Sequence, residues 1–268
     1  MSKATPPLFK NFSQRKSNAL PNKNWLYFPA SILLFLVLWQ SLSWIVASDL
    51  FPSPIAVAQT IIQKTLYGDL IKDVSITLAR VAAAFFFAMA IGCFIGVLLG
   101  LKKRSDLFFD SWLIIALNLP ALVIIVLCYI WFGLTEVAAI TAVAINKIPL
   151  VAVIMREGTR ALDPKLTEMS QLYKYSKTRV LRDLISPQLA PYAAAAARTG
   201  LALIWKIVLV VELLGRPNGI GFQIQLNFQL FDITAILAYA FAFLIVIQVI
   251  EALIIKPWER YANRWRAS

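Results

Sequence analysis

The 268-residue sequence contains no histidine, two cysteines and only 14 acidic residues. Without histidine there is no imidazole base for a Ser-His-Asp arrangement and no imidazole ligand for zinc or haem. Cys93 and Cys128 each stand alone inside an apolar run, with no Cys-x-x-Cys pair. A cysteine-based metal or redox motif is therefore excluded. No two acids within an apolar run are spaced to hold a metal, which leaves a membrane-embedded enzyme without support. Also missing is Gly-x-x-x-x-Gly-Lys-Ser/Thr, so the chain has no phosphate-cradling loop of its own. Charge of any sign is scarce, at 15% of residues, where a soluble domain carries about a quarter.

What fills the chain is apolar residue: 60% of the total, with a mean hydropathy of +0.72. These residues gather into runs long enough to cross a bilayer, which takes about 20 residues at 1.5 Å each. Six runs are read as spans, at about residues 25–47, 77–101, 108–132, 137–155, 192–214 and 233–255, in an all-α membrane protein. A cleavable leader competes for the first run, but the run is too long for a signal core and follows a 24-residue tail. Between the first two runs, the segment 49–74 opens with Phe51-Pro52-Ser53-Pro54, which resists regular structure. It continues with Ile55, Ala58, Ile61, Ile62 and Leu66 at the spacing of an amphipathic surface helix. Pro120 falls mid-run and is expected to kink the third span.

The net charge of +12 would suit a nucleic-acid binder, but the positions of the cations argue otherwise. Alternating six spans puts residues 1–24, 102–107, 156–191 and the C-terminus on one side, with 19 of the 26 basic residues. The opposite segments hold only Lys64, Lys72 and Arg216. That asymmetry predicts cytoplasmic termini, a cytoplasmic loop at 156–191 and an outer segment at 49–74. Positive charge that follows topology is not a nucleic-acid face. Trp112, Trp131, Trp258 and Trp265 read as interfacial anchors, and Arg80 and Arg198 as span-end cations that snorkel.

The 156–191 loop is polar yet helical by local rules. Asp163-Pro164 supplies an N-cap followed by proline at the first helical position. Ser176 offers a second cap, and Pro187 is expected to stop the second helix. Two short helices joined by a tight elbow would make a projecting knob; the alternative is a solvated connector. Within the spans, Lys147 and Lys206 are costly charges that face a cavity or a partner. Either they line a weakly cationic pathway, or they pair with acids such as Glu136, Glu212 or Glu251 or with backbone carbonyls and help hold the helices together. Gly92, Gly96 and Gly100 form a small-residue stripe, read as a mobile or dimeric interface or as static packing.

Glu168-Met169-Ser170, running through Ser176 to Pro187, resembles the "EAA" loop of the binding-protein-dependent ABC importer permeases, including the 19-residue interval from the Glu to the Pro. Ala197-Arg198-Thr199-Gly200, and Trp205 followed by Glu212, look like the fifth span of that family. Phe51-Pro52-Ser53-Pro54, the run from Ser75 through Arg80 to Gly100-Leu101, and Trp131-Phe132-Gly133-Leu134 resemble its nitrate/sulfonate/taurine/bicarbonate branch. The resemblance covers about residues 50–265. The family's two alanines are replaced by Met169 and Ser170, and its elbow glycine by Lys174. Glycine is the residue that favours a left-handed elbow, so the turn is expected to be spread over Tyr173 to Ser176.

The resemblance implies a type I ABC importer permease in the bacterial inner membrane, working as a homodimer or paired permease. Its partners would be a separate ABC ATPase subunit that binds the ATP and a periplasmic or lipid-anchored solute-binding protein. The chain itself would need no cofactor, and the solute would be a small anion. ATPase docking would fall to Pro164, Leu166, Glu168, Met169, Ser170, Leu172, Tyr173, Lys174, Ser176 and Pro187. The solute pathway would involve Lys147, Lys206, Trp205, Glu212 and Pro120. An ATP-independent transporter or channel is the alternative, and it would need no docking loop.

Overall fold

The structure is a computed structural model that describes residues 24–48 and 50–262. The tail at 1–23 and the cations and tryptophan at 264–266 lie outside those residues. Two compact units emerge, residues 1–54 and 55–268.

The first unit carries α1 (Asn24–Val46), the anticipated first span. The chain beyond it folds back onto its last turns. Trp39 Nε1 donates to the Pro52 carbonyl (3.1 Å) and Ser43 Oγ to that of Phe51 (3.1 Å).

The second unit is a helical bundle. Its elements are α2 (Pro54–Tyr67), α3 (Leu70–Leu101), α4 (Lys103–Asn118), α5 (Ala121–Phe132), α6 (Glu136–Arg160), α7 (Pro164–Leu172) and the short α8 (Lys177–Arg179). A π-helical turn (Val180–Ile185) leads into α9 (Ser186–Gly215), followed by α10 (Ile220–Gln229) and α11 (Ile233–Ile250). A second π-helical turn (Glu251–Ile255) joins α11 to α12 (Lys256–Ala262). Among the described residues, five helices are long and apolar enough to cross a membrane, or six if α4 and α5 form one span.

Several expected boundaries move. The second span begins at Leu70, seven residues before Thr77, because Asp73, Thr77 and Arg80 occupy its buried face. Pro120 does more than kink the third span. The chain turns by 91° at Leu119-Pro120 and divides it into α4 and α5. Pro120 lacks an N–H and disfavours helical backbone at Leu119, and Leu119 is extended (φ −66°, ψ 125°). The fourth span runs on through Arg160, five residues beyond Met155. Pro187 does not stop a helix. The chain passes from the π-turn straight into α9 through helical backbone at Ile185 and Ser186, with Pro187 near the start of α9. The fifth span therefore starts well before Tyr192.

The core is built on small residues. On α3, Arg80, Ala84, Ala88, Gly92 and Gly96 recur every four residues and are all buried. Such a stripe lets a neighbouring backbone approach closely, and α6 is that neighbour, in the most extensive pairing of the fold. A Cβ added at Gly92 would lie 2.6 Å from Val151 Cβ, and one at Gly100 2.5 Å from Thr159 Cβ. Within the chain the stripe is thus tight intramolecular packing. Helix α9 closes the core with its own fourfold ladder of Ala196, Gly200, Ile204, Val208 and Glu212, all buried. Trp112, Trp131 and Trp258 are exposed.

Candidate functional site

The regions of interest are the segment between α6 and α9, an ion-paired cluster at each end of α6, and a pocket between α9 and α11.

After Arg160 the chain leaves α6, and Asp163 restarts it as a helix. Its Oδ1 accepts from Lys165 N (2.8 Å), while its own N–H donates to Gln188 Oε1 on α9 (2.9 Å). Pro164 follows at the first helical position of α7. At the far end the elbow is left-handed after all, and Lys174 itself takes φ +49°. Tyr175 N bonds the Ser170 carbonyl at 2.9 Å, the six-to-one closure of a Schellman turn. The expected spreading over Tyr173–Ser176 therefore does not occur. A single residue bends in place of glycine, and its neighbours hold it there. Ser170 is buried beneath the turn, and the Arg179 guanidinium lies 4.5 Å from the centre of the Tyr175 ring. Ser176 Oγ accepts from Arg179 N (3.3 Å), as its capping role anticipated.

The result is a short helix joined to α6 at one end and, through α8 and the π-turn, to α9 at the other. Glu168, Leu172, Tyr173 and Lys174 are exposed on it, Leu172 by 82% and Tyr173 by 70%. Met169 is half-buried. Leu166 and Pro187 are brought together, with Leu184, Pro191 and Tyr192, around a groove of about 330 Å³ at the root of the segment.

At the opposite end of the bundle lies an ion-paired cluster that the sequence reading did not assemble. Arg80 does not snorkel: it is 4% exposed and every N–H of its guanidinium is taken. Glu136 receives Nε (2.8 Å) and Nη2 (2.6 Å), Glu212 receives Nη1 (2.6 Å), and Asn218 accepts through its carbonyl (2.9 Å) and its side chain. Glu212, fully buried, also accepts from Thr77 Oγ1 (3.0 Å) and Gly221 N (2.8 Å). Asp73 accepts from Gly219 N (3.0 Å) and Gln223 Nε2 (2.9 Å). Arg216 donates to the Leu134 carbonyl and to Glu136. Gly219 has φ +100°, and a Cβ there would sit 2.6 Å from Glu212 Cδ, so only glycine fits. The cluster ties α3, α6, α9 and the α9–α10 turn together.

A second cluster closes the end beside α7. Arg156 Nη1 bonds Asp110 (2.6 Å) and Asp106 (3.2 Å) on α4, and Arg160 pairs with Asp106 and with Glu157 (2.9 Å). Helix α6 thus carries ion pairs at both ends, one of them three residues from α7.

The anticipated acid partners of Lys147 and Lys206 are taken by arginines: Glu136 and Glu212 by Arg80, and Glu251 by Arg198 (3.9 Å). Arg198 also holds Glu259 (2.8 Å). Among the described residues, no carboxylate lies within 4 Å of either lysine ammonium. Lys147 is half-buried on α6. Lys206 is exposed on α9, its ammonium 5.5 Å from the centre of the Trp205 ring, and both residues line a pocket between α9 and α11. Glu212 and Pro120 lie apart from that pocket. The described residues contain no group of three or more His, Cys, Asp or Glu that could hold a metal ion.

Residues 88–255 match the family described as binding-protein-dependent transport system inner membrane component. Among curated proteins, the chain is similar to the putative aliphatic sulfonates transport permease protein SsuC of Bacillus subtilis (strain 168). The identity is 27%, over 91% of this chain and 87% of that one. The nitrate import permease protein NrtB of Synechococcus elongatus is 25% identical over 75% and 76% of the two chains. Among solved structures, the fold is similar to that of the inward-facing MetNI methionine ABC transporter. The TM-score is 0.63 at 18% identity, covering 75% of this chain and 98% of that one.

Proposed function

We propose that this chain, which belongs to the binding-protein-dependent transport system inner membrane components, forms the solute pathway of an ATP-driven importer for a small organic or inorganic anion. Membership makes it a transport permease rather than an enzyme. The anion follows from the sulfonate and nitrate relatives, and the two lysines without carboxylate partners are compatible with it. In this reading Lys147, Lys206 and Trp205 border the pathway, while Glu212 holds the packed end of the bundle and Pro120 sets the break between α4 and α5.

One observation carries the coupling half of the proposal. Helix α7 is short, projects with Leu172 and Tyr173 exposed, and is fixed to α6 and α9 by a capped entry and a closed elbow. Exposed apolar side chains on a rigid helix fit a groove on a partner. That partner is an ABC ATPase subunit carrying the nucleotide, so the chain needs no cofactor. Nucleotide-driven movement of α7 would pass into α6, which ends three residues before it. Two copies, or two paired permeases, would enclose the pathway, and a solute-binding protein would deliver to the face away from α7. The distribution of basic residues supports termini and a 156–191 loop in the cytoplasm of a bacterial inner membrane, with residues 49–74 outside.

Co-expression with an ATPase and a binding protein encoded beside the gene tests the reading. The expected result is a complex that survives detergent purification and loses the ATPase when residues 164–186 are deleted. A complex indifferent to that deletion would remove the docking assignment, and failure to recover any ATPase would favour an ATP-independent transporter.

A further inference from the structure

The face of α9 opposite its buried ladder carries Arg198, Ala202, Lys206 and Val210, again every four residues, and all four are exposed. Beside that face, between α9 and α11 with its π-turn, lies a half-open pocket of about 200 Å³ whose lining includes Arg198, Leu201, Trp205, Lys206, Ile247 and Gln248. Its charges are not balanced alike. Arg198 is neutralised by Glu259 and Glu251. Within the described residues the partner of Lys206 is the Trp205 ring, which attracts the cation through its face rather than accepting as an oxygen would. Among the described residues, the Gln248 side chain also makes no hydrogen bond. The pocket therefore presents the three ammonium donors of Lys206 and the amide N–H groups of Gln248 without acceptors among the described residues, above apolar walls, while the Glu251 carboxylate on its lining faces Arg198.

A cation inside an apolar span is costly and calls for a cavity or a counter-charge. The space here is several times the roughly 30 Å³ of one water molecule, enough for a small headgroup and a few carbons. We propose that this pocket binds an organic oxyanion, with its oxygens on Lys206 and Gln248 and its carbon chain against Trp205 and Leu201. The inference rests on the anion-permease reading for its physiological solute. The same chemistry is offered by the phosphodiester headgroup of a membrane lipid.

The test uses the full-length permease in nanodiscs of phosphatidylcholine alone, without nucleotide, and reads saturable binding of 35S-labelled butanesulfonate. A hydrogen-bonded charge contributes at least about tenfold in affinity. Lys206→Met should weaken binding by that much, and Trp205→Leu and Gln248→Leu by less. Lys206→Arg should retain it, and Lys64→Met should leave it unchanged. In a second arm the nanodiscs contain phosphatidylglycerol, and native mass spectrometry counts the lipid that remains bound. Phosphatidylglycerol retained by the wild type and lost with Lys206→Met, without sulfonate binding, keeps the oxyanion site and assigns it to lipid. Binding of neither probe, or binding indifferent to Lys206→Met, overturns the proposal. Because binding is read without ATP, failure to recover an ATPase complex would fault the importer reading and leave this measurement standing.

Discussion

Arg80 Nη1 lies 2.6 Å from Glu212 Oε1, with Arg80 4% and Glu212 0% exposed, although 132 residues separate them. The pair joins the first long helix of the bundle to α9 and, through Asn218 and Gly221, fixes the turn into α10. Helix α6 enters the same cluster through Glu136, so three long helices are registered at one end by a single guanidinium.

Removing that guanidinium leaves a buried carboxylate unpaired, which costs about 3–5 kcal/mol. Arg80→Met should therefore sharply lower the midpoint of thermal unfolding of the detergent-purified chain. Adding Glu212→Gln removes the stranded charge and should restore a measurable part of the loss. If the double variant melts as low as Arg80→Met, the pairing is not the source of the stability.

The pair was legible in part. Arg80 falls on the four-residue stripe with Ala84, Ala88 and Gly92, and Glu212 on the stripe with Gly200, Ile204 and Val208. A cation in register with residues packed against a neighbour points inward, so that periodicity could have overruled snorkelling. The identity of its partners could not be read, because helix order along the chain does not tell which faces meet. The spans themselves were legible because about 20 apolar residues admit few alternatives. The break at Pro120 and the passage of the chain through Pro187 were not. The same residue ends one helix and begins another according to where it falls relative to the first turn. Helix α10 was missed because Gln223, Gln225, Asn227 and Gln229 alternate with apolar residues along its ten positions, which conceals the helical face on which Ile220 and Ile224 pack against the core.

Lys174 gives the second prediction. A side chain in the left-handed region costs about 1–2 kcal/mol, and the lysine at φ +49° is exposed, with little to offset that cost. Lys174→Gly should stabilise the elbow by up to about 1 kcal/mol, after glycine's greater unfolded-state entropy is subtracted. Slower amide hydrogen exchange at Tyr175 would register it. Faster exchange would mean that the lysine side chain holds the turn.

Two glycines on facing ladders should behave oppositely. A Cβ at Gly92 meets Val151 Cβ at 2.6 Å, whereas one at Gly200 meets nothing within 4 Å. Gly92→Ala should cost about 1–3 kcal/mol by forcing α3 from α6. Gly200→Ala should be neutral or gain up to about 1 kcal/mol in helix propensity. Thermal unfolding of the two variants in one detergent decides it, and equal shifts would contradict the α3–α6 register.

The last prediction separates docking from folding. Leu172 and Tyr173 end α7 with most of their surface exposed, so replacing them removes little intramolecular packing, and exposed substitutions usually change stability by less than about 0.5 kcal/mol. At an interface the same two residues would be the anchors, where loss of an aromatic or aliphatic contact costs about 2 kcal/mol or more. Leu172→Asp with Tyr173→Ser should therefore leave the yield and thermal midpoint of the permease unchanged. It should also reduce recovery of a co-expressed ATPase at least about tenfold and abolish ATP-dependent uptake into proteoliposomes. Glu168→Gln, exposed on the same helix, should have a smaller effect, because a rim charge contributes mainly to the association rate. Full ATPase recovery by the double variant would show that α7 is a connector and that the energy enters elsewhere.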